Sequence, residues 1–181
     1  MSKFKETKVS SKTYYENSFL HVHEDDILLP DGNPSKRIVA THPGAVSIIA
    51  VTKEGELVLV RQYRYPLGVE TLEIPAGKID ADELPIDTAK RELEEETGYR
   101  TENIRLIGSH ATEPGFTNVI IHQFLALDLH IFENRLMPDD GEFVEVLLAS
   151  RESALSMVAN GEIIDLKTVN AINYLTAKGL W

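Results

Sequence analysis

The sequence predicts an α/β domain, a mixed sheet held between helical layers, with a small antiparallel β appendage at its N-terminus. Three observations carry this prediction. Short strand-like runs recur between residues 45 and 149. Helical segments interrupt and follow those runs, an order that favours a sheet covered by helices. The first 43 residues hold strand-like runs around a tight turn and no helical pattern.

Each element has a local reason. Phe19 to Leu29 reads as a strand, Pro30-Asp31-Gly32-Asn33 as a turn, and Ser35 to Ala40 as the returning strand. Such a piece cannot bury a core by itself and must pack on something else. Ala45 to Thr52 reads as a buried strand, Lys53-Glu54-Gly55-Glu56 as its turn, and Leu57 to Tyr65 as its partner. Alternation along that partner puts Leu57, Leu59 and Arg61 on one face and Val58, Val60 and Gln62 on the other. Thr71 to Ile74 is a short strand before Pro75-Ala76-Gly77. Pro85 to Thr97 is a helix, with proline in its first turn and Gly98 just past its end. Ile104 to His110 and Val119 to Leu129 are strands around a Glu113-Pro114-Gly115 loop, and Phe143 to Ala149 is another. Arg151 to Ala159 and Leu166 to Lys178 close the chain as helices, the second with an apolar stripe through Val169, Ile172 and Leu175.

Composition excludes several classes. The 181 residues suit one domain with a small appendage. Hydrophobic residues make up 43%, enough apolar surface to rule out a wholly disordered chain. The formal charge of −11 argues against nucleic acid and against anionic membranes as partners. The absence of cysteine excludes disulfides, thiol nucleophiles and thiolate metal sites. No apolar targeting segment is visible in MSKFKETKVS, and no run is long enough to span a bilayer, so a soluble cytoplasmic protein is expected. His21 and His23 share a strand face, but no third ligand has an evident spacing, and a zinc site is set aside.

Chemistry concentrates between Gly77 and Tyr99, where eight acidic side chains face three basic ones. On a helix, Glu92, Glu95 and Glu96 share one face, and like charges at that spacing repel. A solvated acidic helix would tolerate the repulsion. A hard divalent cation would relieve it, because Mg²⁺ takes carboxylate oxygens and keeps waters for a phosphate-bearing substrate. The opposite face, Ile86, Ala89 and Leu93, is apolar and can dock on the sheet. Arg91 stands four residues before Glu95 and can pair with it.

These residues make a pattern: Gly77, five residues, Glu83, seven residues, then Arg91-Glu92-Leu93-x-Glu95-Glu96-x-Gly98-Tyr99. The pattern resembles the Nudix box, the signature of hydrolases that cleave a nucleoside diphosphate linked to another group. Tyr99 departs from the family's usual aliphatic residue. The resemblance extends over most of the chain. Arg61-Gln62-Tyr63-Arg64-Tyr65-Pro66, Glu73-Ile74-Pro75-Ala76-Gly77, Lys36-Arg37, and Pro114 within Glu113-Pro114-Gly115-Phe116-Thr117 resemble the ADP-ribose pyrophosphatase branch.

The resemblance implies roles. Glu92, Glu95, Glu96 and the carbonyl of Ala76 would bind magnesium, with manganese as a substitute. Arg91 would hold those carboxylates, and Glu95 and Arg91 would count with the catalytic residues. Glu142, just before a strand, would be the general base. Arg37, Arg64 and Glu73 would bind substrate, and Gly115 and Phe116 would line its sugar side. Asn118-Val119-Ile120 follows that loop where many relatives carry an acid, a departure that bears on substrate preference. The expectation is a Nudix α/β/α sandwich over residues 44–181 and a β appendage over 1–43 that forms a homodimer, with exchange of the appendages between subunits as one form of it. Its activity would be hydrolysis of a nucleoside diphosphate sugar. ADP-ribose leads, giving AMP and ribose 5-phosphate, and GDP-mannose or a broad range of such sugars competes. A non-catalytic nucleotide-sugar sensor is the contrasting class, and loss of the box carboxylates would favour it. A triphosphate-cleansing enzyme is disfavoured by the appendage and by Pro114.

Overall fold

A computed structural model of the chain describes residues 2–132, 136, 141 and 143–181. In chain order its elements are β1 (Thr7–Glu16), β2 (His21–Leu28), β3 (Pro34–Thr41), β4 (Ala45–Ala50), β5 (Leu57–Arg64), β6 (Val69–Glu73) and β7 (Ala76–Lys78). They continue as α1 (Pro85–Thr97), β8 (Tyr99–Arg100), β9 (Asn103–Ala111), β10 (Ile120–Leu127), β11 (His130–Ile131), β12 (Glu145–Ala149), α2 (Arg151–Ala159) and α3 (Leu166–Lys178). Two compact units result. The first runs up to Gly44 and takes in His110–Ile121; the second comprises Ala45–Ser109 and His122–Trp181.

The first unit is built on an antiparallel sheet of order β1-β2-β3. The turn between β2 and β3 forms where expected: Gly32 N–H donates to the Leu29 carbonyl at 2.9 Å, and the Asp31 carboxylate accepts from Asn33 N–H at 3.0 Å. β1 was not foreseen. Its sequence, TKVSSKTYYE, lacks an apolar alternation, and every residue of it is exposed. It forms by pairing along β2, and Ser10 and Ser11 donate to Asp26 and Asp25. The Glu113–Thr117 turn belongs to this unit, because Ala40 N–H donates to the Phe116 carbonyl at 2.7 Å and His42 N–H to the Asn118 amide oxygen at 2.9 Å.

The second unit has the α/β architecture read from the sequence. β4 lies between β7 and β10 in one sheet of order β7-β4-β10-β9, and β5 lies between β12 and β6 in another. Alternation along the strands feeds two cores. Ile49, Leu57, Leu59, Ile74 and Leu125 pack with Ala171, Ile172 and Leu175 of α3 and Ala154 of α2. Val46, Ile48, Val58 and Phe124 pack with Ala89 and Leu93 of α1. Adjacent residues of one strand thus serve opposite faces, as period-two geometry requires, and helices cover both faces. α1 begins at Pro85 and ends at Gly98, whose φ of 74° is the left-handed geometry that closes a helix, and its N–H donates to the Glu94 carbonyl. α3 is capped by Asp165, which accepts from Thr168 N–H at 2.9 Å. β7, β8 and β11, only two or three residues each, were too short to read from the sequence. Among the described residues no helix is long and apolar enough to cross a membrane.

Leu93 is 1% exposed at the contact between α1 and the sheet. Leu93→Ala should lower unfolding free energy by about 2–5 kcal/mol, read from urea titrations followed by circular dichroism.

Candidate active site

The site is built on α1 and on β7, which runs beside β4 with Ser47 opposite Ala76 and Val46 opposite Gly77. Docking Ala89 and Leu93 on the sheet fixes the rotation of α1 and so fixes where its carboxylates lie. Glu92 and Glu96 are buried, at 9% and 5% exposure. The Ala76 N–H donates to Glu96 Oε2 at 3.0 Å. Gly77 lies so close to Glu92 that a Cβ there would sit 1.9 Å from the carboxylate. A side chain at position 77 would therefore displace Glu92, the flexible partner, and leave the sheet intact. This close approach is the physical reason for a glycine at the start of the box.

Arg91 organises the charges. Its Nε and Nη2 donate to the two oxygens of Glu83 at 3.1 and 3.0 Å, a forked pair. Its Nη1 donates to Glu92 at 2.8 Å and to Glu95 at 2.9 Å. The Glu83 bonds hold the guanidinium proton more tightly than usual, against the opposing effect of burial, and Glu92 and Glu95 add to this. In turn Arg91 holds the Glu83 carboxyl below the ordinary range, helped by the Thr88 hydroxyl at 2.8 Å. Glu83 stood in the pattern without a role; it is the brace of Arg91. Its position nine residues before Glu92 was the only signal.

A second charged group lies on β5, β6 and α3. Arg64 donates from Nε and Nη2 to the two oxygens of Glu73 at 2.7 and 2.6 Å. Thr71 donates to the same carboxylate at 2.6 Å, and Lys167 pairs with it from α3. Burial pushes the Glu73 carboxyl up, but the Arg64 hydrogen bonds and the Lys167 charge override it and hold the group at about 2. Arg64 keeps its proton more tightly for the same contact, and the Glu96 charge reinforces this. Lys167, Thr71 and Asp165 carried no motif and went unforeseen.

The other expected residues divide between the units. Arg37 is in the first unit, held by Glu6 at 3.1 Å through Nε. Gly115 and Phe116 are also there, on the turn closed by Phe116 N–H to the Glu113 carbonyl at 3.1 Å. Glu142 lies outside the described residues.

Among the described residues no three carboxylate or imidazole groups already converge as a metal-binding set. The donor chemistry nevertheless fits a hard divalent cation. Glu92, Glu95 and Glu96 offer carboxylate oxygens within little more than one helical turn, beside a strand whose backbone Glu96 and Glu92 already touch. Arg91 and the Ala76 N–H hold these oxygens in the metal-free geometry.

Glu73 supplies stability that is present above the unfolded carboxyl range, near 4.5, and is lost as pH falls toward about 2. Glu73→Gln should therefore flatten the fall in stability between pH 5 and 2, removing on the order of 3 kcal/mol of pH dependence in urea unfolding series. An unchanged slope would contradict the assigned pairing.

Comparison with known proteins agrees with this geometry. Residues 41–169 match the NUDIX domain, and residues 6–39 match the nucleoside diphosphate sugar hydrolase N-terminal domain. The chain is 42% identical to an ADP-ribose pyrophosphatase of Bacillus subtilis, over 98% of this chain and 96% of the other. It is equally similar, at 42% over 95% and 93%, to a methanol dehydrogenase activator of Bacillus methanolicus. A GDP-mannose pyrophosphatase of Escherichia coli K12 is 31% identical over 96% of both chains. The crystal structure of an ADP compounds hydrolase superposes with a TM-score of 0.81 at 20% identity, covering 99% of this chain and 98% of that one, and so shares the fold. By its domain match, its relatives and the box helix that carries the matching residues, the chain belongs to the Nudix hydrolase family.

Proposed function

We propose that the protein hydrolyses the diphosphate bond of a nucleoside diphosphate sugar, ADP-ribose before GDP-mannose, with Mg²⁺ as cofactor and Mn²⁺ as a substitute. The observation that carries this is the placement of Glu92 and Glu96 against β7, with Gly77 cleared for Glu92 and Glu95 joined to Glu92 through Arg91. Pyrophosphatases of ADP-ribose and of GDP-mannose among the relatives support the substrate class, and the greater identity of the ADP-ribose enzyme supports the order.

A divalent cation bound by Glu92, Glu95, Glu96 and the Ala76 carbonyl would neutralise phosphoryl oxygens and activate the attacking water. Arg91 keeps Glu92 and Glu95 in place before substrate arrives, and the Ala76 N–H keeps Glu96. Arg64, its plane fixed by the forked bond to Glu73, has its remaining guanidinium donors for the diphosphate; the assignment of Arg37 to phosphate comes from the sequence resemblance alone. Gly115 and Phe116 are assigned to the sugar by the same resemblance. The general base is Glu142, assigned from its sequence position before β12. Water adds across the P–O–P bond, and a nucleoside monophosphate and a sugar phosphate leave. The cysteine-free composition fits a cytoplasmic location.

The appendage fits a homodimer contact. One strand, β1, is exposed throughout, and Val9, Tyr14 and Tyr15 on it are each more than half exposed, an apolar load that a second copy would cover. Sedimentation equilibrium should give twice the chain mass for the full protein, and a monomer after removal of residues 1–43.

The deciding assay incubates the protein with ADP-ribose and with GDP-mannose, in Mg²⁺ and in EDTA, and identifies products. AMP and ribose 5-phosphate in Mg²⁺ alone are expected. Glu96→Gln should lower turnover by about 100-fold or more, with unfolding free energy within about 1 kcal/mol of the parent. Faster GDP-mannose cleavage would reassign the sugar and point to Asn118–Ile120. Binding of both without cleavage would make the protein a nucleotide-sugar sensor.

A further inference from the structure

Lys167 stands where helix electrostatics disfavour it. It occupies the first turn of α3, directly after the cap pair Asp165 and Leu166, and the N-terminus of a helix repels cations. Its side chain is only 13% exposed, although lysine ordinarily keeps its charge in water. Two carboxylates compensate: Glu73, and Asp165 at 3.0 Å. Asp165 also accepts from Thr168 N–H and hydroxyl at 2.9 and 2.5 Å, so part of its charge is met by the helix end.

The effect falls on Arg64. A guanidinium clamped by one carboxylate is a neutral pair with little pull on an anion. Here the four acceptor directions of Glu73 are taken by Arg64 twice, Thr71 and Lys167, all from this chain. Glu73 is 2% exposed and has no direction left for a substrate hydroxyl. The Arg64 side chain is 40% exposed against 3% for that of Glu73, so the pair is anchored at the carboxylate and reaches solvent on the Arg64 side.

We propose that Lys167 is a positioning residue for the substrate diphosphate: by engaging Glu73 from α3 it offsets the carboxylate charge and leaves the clamped Arg64 guanidinium cationic toward a phosphate. The inference rests on the diphosphate chemistry proposed above. Lys167 touches no substrate and acts through Glu73 and Arg64.

The test measures binding of inorganic pyrophosphate in magnesium buffer by calorimetry, beside steady-state hydrolysis of ADP-ribose. Lys167→Met should weaken pyrophosphate binding by about tenfold or more and raise KM for ADP-ribose alike, with kcat changed less than about threefold. Lys167→Arg should restore affinity. Leu175→Ala, on the buried apolar face of the same helix, should lower the unfolding midpoint and leave pyrophosphate affinity intact. Adding Lys167→Met to Arg64→Ala should cost no further affinity. Lys167→Gln replaces Lys167→Met if that variant does not fold. Wild-type affinity in the charge-removing variant, additive losses in the double variant, or an equal loss in Leu175→Ala would overturn the proposal, as would a wild type that does not bind pyrophosphate. Lys167-dependent binding in a protein that leaves ADP-ribose uncut would sink the hydrolase reading and keep this one.

Discussion

The constraint on which the second unit depends is a charged helix that must lie against a sheet. Glu92, Glu95 and Glu96 fall within little more than one turn, and Glu92 and Glu96 are buried by the docking of Ala89 and Leu93. Buried carboxylates are costly unless they are hydrogen-bonded or paired. Arg91 meets that cost: one guanidinium, forked onto Glu83, reaches Glu92 and Glu95 as well. The backbone of β7 completes the arrangement, with the Ala76 N–H on Glu96 and the bare Cα of Gly77 against Glu92. Glycine, arginine and the spaced acids are therefore one packing solution, and the spacing in the sequence follows from it.

Elements with strong periodicity were legible. All three helices run between the residues read from the sequence, because Pro85, Gly98, Ser150, Asp165 and Gly179 mark their ends by capping chemistry. The faces of β5 and of α1 were legible too, since alternation and helical spacing state directly which residues are buried. β1 was not, because hydrogen bonding along β2 and the Ser10 and Ser11 side chains hold it although its sequence has no apolar alternation. In the site, the three carboxylates and Arg91 were visible as a pattern. The brace role of Glu83 was not, since a carboxylate eight residues from its partner declares nothing until the loop before α1 is built. Lys167 lies 94 residues from Glu73, a separation that no local rule spans.

The two charged groups solve opposite problems. Around Arg91, three carboxylates share one guanidinium, an arrangement rich in oxygen donors. Around Glu73, one carboxylate is shared by two cations and a hydroxyl. The first suits a cation; the second, with Asp165 partly met by the N-terminus of α3, is the one with cations to present to an anion. Glu96 acts on Arg64 electrostatically, so the two lie within reach of each other's fields. The magnesium-bound diphosphate proposed as ligand would present both charges at once, each opposite in sign to one of these groups.

The contacts between β6 and α3 carry a consequence for how the chain reaches this state. Ile74 N–H donates to the Thr168 hydroxyl across 94 residues, beside the Glu73–Lys167 pair of the same span. During synthesis the box helix and its strands emerge long before α3 does. Until then the carboxylate of Glu73 lacks one of its cations and β6 lacks its cap. Closing such a long loop is slow, because its entropy must be lost before any contact rewards it. The hairpin that presents Arg64 thus reaches its final form only when the last helix docks, and a partly made chain holds the box residues without a finished site.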